Sequence, residues 1–187
     1  MTFQLDPWIK RYSFTDFQRL VDSEQIENPD RLELIDGIPV QKMTKGERHA
    51  AYCSRLYRLL VTLVGNQAII RSQAPVQLPP NHEPEPDFAV VHFQQDEYQF
   101  QHPQPQDIIL IIEVADSSLN YDQTIKRQLY AQAGIPNSWI VNLPGNCLEV
   151  YRLPQPSGSY AECKLLSRND RAEIPGLGEL PLEQVFA

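Results

Sequence analysis

The strongest constraint on the fold is the stretch "DIILIIEVA", residues 107–115. It contains five consecutive aliphatic residues, from Ile108 to Ile112, and successive side chains point to opposite faces of a strand. A strand that is apolar on both faces is typical of the centre of a sheet that helices cover on both sides. The run ends directly at Glu113, where a carboxylate must reach solvent, pair with a cation or bind a metal ion. The stretch therefore predicts an α/β fold and marks Glu113 as a candidate functional residue.

Apolar residues at helical spacing predict three helices around this strand. They lie in "YSFTDFQRLVDSEQ", with a cap at Ser13 or Thr15, in "ERHAAYCSRLYRLLVTLVG" and in "YDQTIKRQLYAQAG". The second and third helices are expected to end at Gly65 and Gly134, since glycine is favoured after a last helical turn. The apolar stripe of the second helix consists of Cys53, Leu56, Leu60 and Leu63.

Shorter apolar runs predict the strands. Two of them flank Asp36-Gly37 in "RLELIDGIPVQKM", which is a strong β-hairpin signal. Further strands are predicted in "AIIRS", "PVQLP" and "DFAVVHF", and in "SWIVNL" and "LEVYRL", which are joined through Pro144-Gly145. The tail "EIPGLGELPLEQVFA" is expected to be a loop that packs back on the core.

Composition limits the class of protein. A chain of 187 residues that is 42% hydrophobic fits one domain, residues 1–187, with a sizeable core. The three cysteines have no CxxC spacing, so neither a disulfide framework nor a zinc finger is indicated. The chain shows no signal-peptide pattern and no apolar run long enough to span a membrane. We therefore expect a soluble, cytoplasmic protein without a membrane partner.

The net charge is −8, whereas proteins that bind nucleic acid without specificity are usually basic. A nucleic-acid function would therefore need a local basic patch or neutralisation by metal ions, and otherwise the partner is of another kind.

Asp87 and Glu113 form the candidate site. Asp87 opens one predicted core strand and Glu113 closes another, so the two residues become neighbours if the strands are antiparallel. Two half-buried carboxylates repel each other unless one is protonated or a cation lies between them. Mg²⁺ or Mn²⁺ suits such a site, because hard cations prefer oxygen ligands.

Lys126 is the third candidate. Asp122, Lys126 and Tyr130 are spaced four residues apart, so they share one face of a helix that follows the Glu113 strand after a short loop. Packed against the sheet, this helix can direct Lys126 at the carboxylate pair. A lysine there can orient a metal-bound water or stabilise charge on a phosphate. The alternative is a surface lysine paired with Asp122.

A strand that opens with "PD", a strand that ends in "EV" and a nearby lysine resemble the PD-(D/E)xK nuclease superfamily. The order of "RLELIDG", "RHAAYCSRLYRLL", "EPDFAVV", "IILIIEVADSS", "DQTIKRQLYAQAGIPNSWIVNL" and "LEVYRL" is similar to one family in it, the "putative restriction endonucleases". The resemblance covers about residues 12–152. It implies a restriction-endonuclease-like mixed sheet flanked by helices, with an N-terminal helix and a β-hairpin.

By this resemblance, Asp87 and Glu113 are metal ligands and catalytic residues, and the Val114 backbone carbonyl is a further ligand. Glu33 either supports these ligands or is an additional ligand itself. The lysine expected two residues after Glu113 is replaced by Ala115, and Lys126 takes its place from the next helix. Two further departures are an Asn-Ser-Trp at residues 137–139, which lacks the usual acidic residue, and Asn142, where an aspartate is usual.

Other polar residues admit two interpretations each. His49 can contact a phosphate, but a capping or surface role is the expectation. Tyr130 is expected to be a core residue or a hydrogen-bond partner, and Trp139 a core residue. The arginines of the second helix form either a solvated face or a phosphate-binding surface: Arg48, Arg55 and Arg58.

Three functions remain open. The first is a Mg²⁺- or Mn²⁺-dependent endonuclease that hydrolyses DNA, and the second is a dimeric binding or assembly module that keeps the fold without cutting. The third is hydrolysis of another phosphoester, such as RNA or a nucleotide. A one-site nuclease cuts both strands of a duplex most simply as a homodimer. We therefore expect a homodimer, with "LEVYRL" as a candidate interface edge.

Overall fold

A computed structural model describes residues 9–23 and 26–187, which contain five α-helical segments and ten strands. The helices are α1 (Phe14–Asp22), α2 (Glu47–Val64), α3 (Leu119–Tyr121), α4 (Arg127–Gln132) and α5 (Leu182–Val185). The strands are β1 (Leu32–Ile35), β2 (Ile38–Gln41), β3 (Ala68–Ser72), β4 (Phe88–His92), β5 (Ile108–Ala115), β6 (Asn137–Asn142), β7 (Cys147–Gln155), β8 (Ser159–Leu166), β9 (Arg171–Ile174) and β10 (Gly178–Pro181).

Six strands form one mixed sheet in the order β3-β4-β5-β6-β7-β8. Only β5 and β6 are parallel, as the helical connection between them requires, and the other neighbours are antiparallel. The β5 strand lies inside the sheet and is almost completely buried. This confirms the α/β fold and the central position predicted from its aliphatic run.

Helical layers cover both faces of this sheet. Side chains of β4 and β5 alternate between two cores: Phe88 and Ile112 pack toward α2, whereas Ala89 and Ile111 pack toward α4. The first core also takes in the C-terminal segment through buried residues that include Leu180. The sheet is thus sandwiched in the way that an all-apolar central strand requires.

The predicted hairpin is formed by β1 and β2, which pair antiparallel around Asp36 and Gly37. Both turn residues have positive φ, 51° and 71°, as a two-residue type I′ turn requires. A side chain at Gly37 would also meet Asn81 Nδ2 at 2.6 Å, so glycine is needed there for space as well as for backbone conformation. The amide of Tyr12 donates to the Gly37 carbonyl at 2.7 Å and ties the N-terminal segment to this turn.

The helical segment between β5 and β6 is not a regular α-helix. One π-helical turn, Asp122–Lys126, lies between α3 and α4. Such turns widen the helix locally and are frequent at functional sites. The first and last residues of this turn, Asp122 and Lys126, are both buried, so the turn faces the protein interior.

Several predicted boundaries are confirmed. Ser13 caps α1 by accepting from the Asp16 amide, and α2 ends at Gly65. The buried stripe of α2 differs in its last member, because Val64 is fully buried and Leu63 only partly.

Other predictions are corrected. "PVQLP" is no strand: it makes a single bridge, from Leu78 to His82, since its prolines lack the amide hydrogens that a ladder needs. The tail packs on the core as expected, but as the β9–β10 hairpin and α5 and not as a loop. β7 is no sheet edge, because β8 pairs along it and forms the edge.

The predicted end of α1 reaches residues 24–25 and the N-terminal signal-peptide reading rests on residues 1–8, all of which lie outside the described residues. Within 9–23 and 26–187, no helix has the length and apolar character needed to cross a bilayer.

Candidate active site

Asp87 and Glu113 meet where β4 begins and β5 ends. The antiparallel register pairs Phe88 with Ile112, which places the two acidic residues one step beyond the ladder. The Asp87 amide donates to Glu113 Oε2 at 3.4 Å, and the Val114 amide donates to Asp87 Oδ2 at 2.9 Å. The structure thus brings together the two carboxylates that the sequence placed at separate strand ends.

The backbone groups of Val114 lie on the same side of β5 as Asp87. The N–H and C=O of one strand residue point to the same neighbouring strand, and the Val114 N–H points at Asp87. Its carbonyl therefore lies on the side of β5 that carries the carboxylate pair. A metal ion bound by Asp87 and Glu113 would find this oxygen on the same side.

Lys126 is not a surface residue paired with Asp122. Only 8% of its side chain is exposed, and Nζ lies 3.3 Å from Glu113 Oε1 and 3.3 Å from Glu33 Oε2. It also donates to the Glu85 carbonyl at 3.1 Å. Three oxygens therefore surround an ammonium group that has three hydrogens to donate.

Glu33 holds Lys126 from the hairpin side. Besides the lysine contact, its Oε2 accepts from the Glu85 amide at 3.2 Å, and its Oε1 accepts from Tyr121 Oη at 3.1 Å. Both oxygens are thus engaged by protein groups. These contacts make Glu33 an anchor for Lys126, and its role as an additional metal ligand stays a prediction.

His49 departs from its expected surface role. It is buried on α2, and its Nε2 donates to Asp87 Oδ2 at 2.9 Å. Periodicity contained the signal for this contact, because His49 precedes Cys53 by four residues and extends the buried stripe of α2. Sequence reasoning missed it since Asp87 is 38 residues away along the chain.

His49, Cys53 and Asp87 also place nitrogen, sulfur and oxygen donors within 4.8 Å of one another. The sulfur of Cys53 is nearly equidistant from the two ring nitrogens of His49, at 3.6 and 3.7 Å, so it is not aligned with the lone pair of either one. Burial and the nearby Asp87 carboxylate raise the pKa of the thiol. A thiolate is a soft ligand that selects softer metals than Mg²⁺ or Mn²⁺. The two carboxylates and the Val114 carbonyl are the donor set that better suits a hard cation.

Burial and neighbouring charges shift the pKa values of the acidic groups in different directions. Burial raises the pKa of Glu113 to about 8, against the opposing effect of Lys126, and the charges of Asp122 and Asp87 add to the increase. Burial also raises the pKa of Asp122 to about 6. For Asp87, burial acts in the same direction, but the hydrogen bond and charge of His49 and the Val114 amide outweigh it, so the pKa is lowered.

The site opens into a pocket of about 570 Å³. Loop residues 42–46 form one wall and residues 116–118, after β5, form another. Its described lining includes five acidic residues besides Asp87: Glu33, Glu85, Glu113, Asp116 and Asp122. Such a concentration of carboxylates favours a cation in the pocket.

Tyr130 takes the hydrogen-bonding role expected of it, since its hydroxyl donates to Glu113 Oε1 at 2.6 Å. Two of the α2 arginines are held by the fold and do not form an open phosphate-binding face. Arg48 donates to the Leu143 carbonyl at 2.8 Å, and Arg55 to the Val185 carbonyl at 2.7 Å.

Asn142, a departure from the family pattern, has a local explanation. Its Nδ2 donates to Glu149 Oε1 at 2.7 Å, and the buried Glu149 also accepts from Gln123 and Tyr151. An aspartate at position 142 would place a second carboxylate against Glu149. Asparagine supplies the donor that this buried carboxylate requires. Trp139 on the same strand is a core residue, as predicted.

Comparisons with known proteins agree with this architecture. The model of the Uma2 family, described as "Putative restriction endonuclease", matches residues 14–183. Among solved structures, the chain is similar to "a putative nuclease belonging to DUF820" from Anabaena variabilis ATCC 29413, with a TM-score of 0.72 and 15% identity over 93% of this chain and 97% of that one. No curated protein matches. The fold similarity and the family match over nearly the whole chain lead to one conclusion: the protein belongs to the Uma2 family of restriction-endonuclease-like proteins.

Proposed function

We propose that this protein is a divalent-metal-dependent endonuclease that hydrolyses phosphodiester bonds of DNA. The observation that carries the proposal is the meeting of Asp87, Glu113 and Lys126 at the floor of one open pocket. Family membership and the nuclease-like fold of the Anabaena protein support it.

The residues present fit a hard divalent ion. Asp87, Glu113 and the Val114 carbonyl would hold Mg²⁺ or Mn²⁺, since all three offer oxygen. Burial, and then the charges of Asp122 and Asp87, raise the pKa of Glu113 although Lys126 opposes the shift, so a cation beside Glu113 would stabilise its ionised form. When bound, such an ion would polarise a phosphate oxygen and lower the pKa of a bound water.

The remaining roles belong to the chain itself. Lys126 keeps a positive charge beside Glu113, because the carboxylates around it raise its pKa well above the ordinary value despite burial. Held by Glu33 and the Glu85 carbonyl, the ammonium group is positioned to orient the attacking water. The Tyr130 hydroxyl donates to Glu113, and His49 on α2 donates to Asp87, so each carboxylate is held in one orientation. Each carboxylate is thus held before substrate arrives, which is the condition for electrostatic catalysis.

Assembly is part of the proposal. We propose a homodimer, because two identical sites cut the two strands of a duplex in the simplest way. With β7 inside the sheet, the exposed edge strand β8 is the candidate interface, and it carries Leu165 with 67% of its surface exposed. The proposed location of the protein is the cytoplasm.

A second function has one observation in its favour. The net charge of −8 opposes the approach of a polyanion, and this favours a binding or assembly module that does not cut. Incubation of supercoiled plasmid with Mg²⁺ or Mn²⁺ separates the two. The nuclease proposal predicts nicked or linear product from the wild type and none from Glu113→Gln or with EDTA. Intact plasmid across all metals would favour the assembly module.

A further inference from the structure

Three lysines line the pocket, and two of them are held by short contacts. Lys126 is surrounded by three protein oxygens within 3.3 Å. Lys42 donates to Glu85 Oε2 at 2.6 Å, with only 16% of its side chain exposed. Neither ammonium group can turn to a substrate without breaking a largely buried ion pair, which is costly.

Lys45 differs from both. Its side chain is 36% exposed, and its Nζ lies 3.7 Å from Asp87 Oδ1 and 3.8 Å from Glu85 Oε1. These distances are too long for hydrogen bonds. No acceptor lies within hydrogen-bond reach of Nζ in the described part of the chain, so the ammonium group is attracted to the carboxylates without being fixed by them.

The backbone that carries Lys45 is fixed at both ends. On one side, the Lys42 side chain pairs with Glu85 and its amide donates to the Arg31 carbonyl at 2.8 Å. On the other side, Gly46 caps the start of α2 and its carbonyl accepts from the Ala50 amide at 3.0 Å. The backbone is thus anchored before and after Lys45, whereas the Lys45 side chain is 36% exposed and has no hydrogen bond that fixes it.

The start of α2 adds to the positive potential at the same rim. Gly46, its first flanking residue, lines the pocket and offers no side-chain cap, so the first amides of an 18-residue helix keep their hydrogen-bonding capacity. Helix N-termini attract anions. The helix start and the Lys45 ammonium belong to adjacent residues of the same pocket wall.

We propose that Lys45 is a further catalytic residue that contacts the backbone phosphate of the substrate, while Lys126 orients the attacking water. The Lys45 ammonium lies near Asp87 and partly neutralises its charge. A metal ion held by Asp87 would repel this ammonium, which would then turn to the phosphate at the rim. This inference rests on the proposed nuclease function. Lys45 would also supply, at a single point, the local positive charge that an acidic protein needs to bind a polyanion.

The test measures binding separately from cleavage. Binding of a short fluorescent DNA duplex is measured in Ca²⁺ over a range of salt concentrations, for the wild type and for Lys45→Met, Lys45→Arg and Arg19→Met. Arg19 lies on α1, has 77% of its side chain exposed and does not line the pocket, so its replacement removes the same charge away from the site. Loss of one phosphate contact lowers the slope of log affinity against log salt by about 0.9. We expect this loss in Lys45→Met only.

A second measurement, calorimetric titration with Mg²⁺ in the absence of DNA, gives an independent result. Lys45→Met should bind the ion more tightly than the wild type, because no ammonium group competes for Asp87. Cleavage by this variant should fall by about 10²-fold, the usual effect of losing one electrostatic contact to a transition state. An unchanged salt slope in Lys45→Met, weaker Mg²⁺ binding or the same slope change in Arg19→Met would overturn the inference. If the wild type binds duplex but never cuts it, the nuclease proposal fails while the slope still decides the role of Lys45.

Discussion

The ammonium group of Lys126 lies 3.3 Å from Glu113 Oε1, although the PD-(D/E)xK pattern places its lysine two residues after the glutamate, where this chain has Ala115. The β5 strand continues through Ala115, and the chain returns over the sheet as a helical segment. The π-helical turn, Asp122–Lys126, ends with the lysine side chain buried against Glu113. The fold thus brings a lysine to Glu113 from the next helical segment and not from the end of β5.

Metal binding should stabilise the protein through Asp87 and Glu113. At a Mg²⁺ concentration of about 100 times Kd, the free energy of unfolding rises by about 2.7 kcal/mol. For a chain of this length, that corresponds to an increase in melting temperature of roughly 5–10 °C. Differential scanning fluorimetry should show this increase for the wild type and its loss in Asp87→Asn and Glu113→Gln. An equal increase in all three proteins would exclude these ligands.

Removal of Lys126 should separate metal binding from catalysis. Lys126→Met takes away a positive charge beside Glu113, so Mg²⁺ should bind at least as tightly as in the wild type. The cleavage rate should nevertheless fall by about 10²–10³-fold, because the ammonium group acts only during the reaction. Titration calorimetry and single-turnover cleavage give the two values. Cleavage at the wild-type rate would show that Lys126 is merely structural.

Metal affinity should depend on pH with a definite sign. Glu113, whose pKa burial raises to about 8, is largely protonated below that pH in the metal-free protein. A protonated carboxyl must lose its proton to bind a metal ion. The apparent affinity for Mg²⁺ should therefore rise by about tenfold per pH unit from pH 6 and level off near pH 8.

Calorimetry in buffers of different ionisation enthalpy counts the proton released in that pH range. The variant Glu113→Gln serves as the control, because it has no such proton to release. An affinity that stays constant from pH 6 to pH 8 would mean that Glu113 is already ionised in the metal-free protein.

The buried Glu149 should make the family aspartate unfavourable at position 142. Asn142→Asp replaces a hydrogen-bond donor 2.7 Å from Glu149 with a second carboxylate. We expect the free energy of unfolding at pH 7 to fall by about 1–3 kcal/mol or more. Urea denaturation measures the loss. The double variant Asn142→Asp with Glu149→Gln should recover part of it, since glutamine supplies a donor, and additive losses would contradict the proposed contact.

Much of the fold could be predicted because several short sequence patterns each indicate one local structure. The aliphatic run of β5, the Asp36-Gly37 turn and the stripe of α2 each indicate one structure on their own. The β8 strand was missed because most of its residues are exposed, so it lacks a clear hydrophobic pattern. The β9–β10 hairpin was read as loop because its strands have only four residues each.

Within the site, the carboxylate pair and Lys126 could be placed from strand ends and helical spacing. The partners of these groups could not, since they come from distant parts of the chain. Glu85 reaches Lys126 through a backbone carbonyl, which no residue pattern reveals. His49 reaches Asp87 only because α2 packs across β4, and this is a property of the tertiary structure.

The central claim is that Asp87 and Glu113 together hold a divalent cation. The most direct measurement is a crystal structure of the protein soaked with Mn²⁺, with anomalous diffraction to locate the ion. The account predicts one strong anomalous peak in contact with the carboxylates of Asp87 and Glu113 and with the Val114 carbonyl. A peak between His49 and Cys53 that leaves Glu113 without contact, or no peak in the pocket at millimolar Mn²⁺, would contradict it.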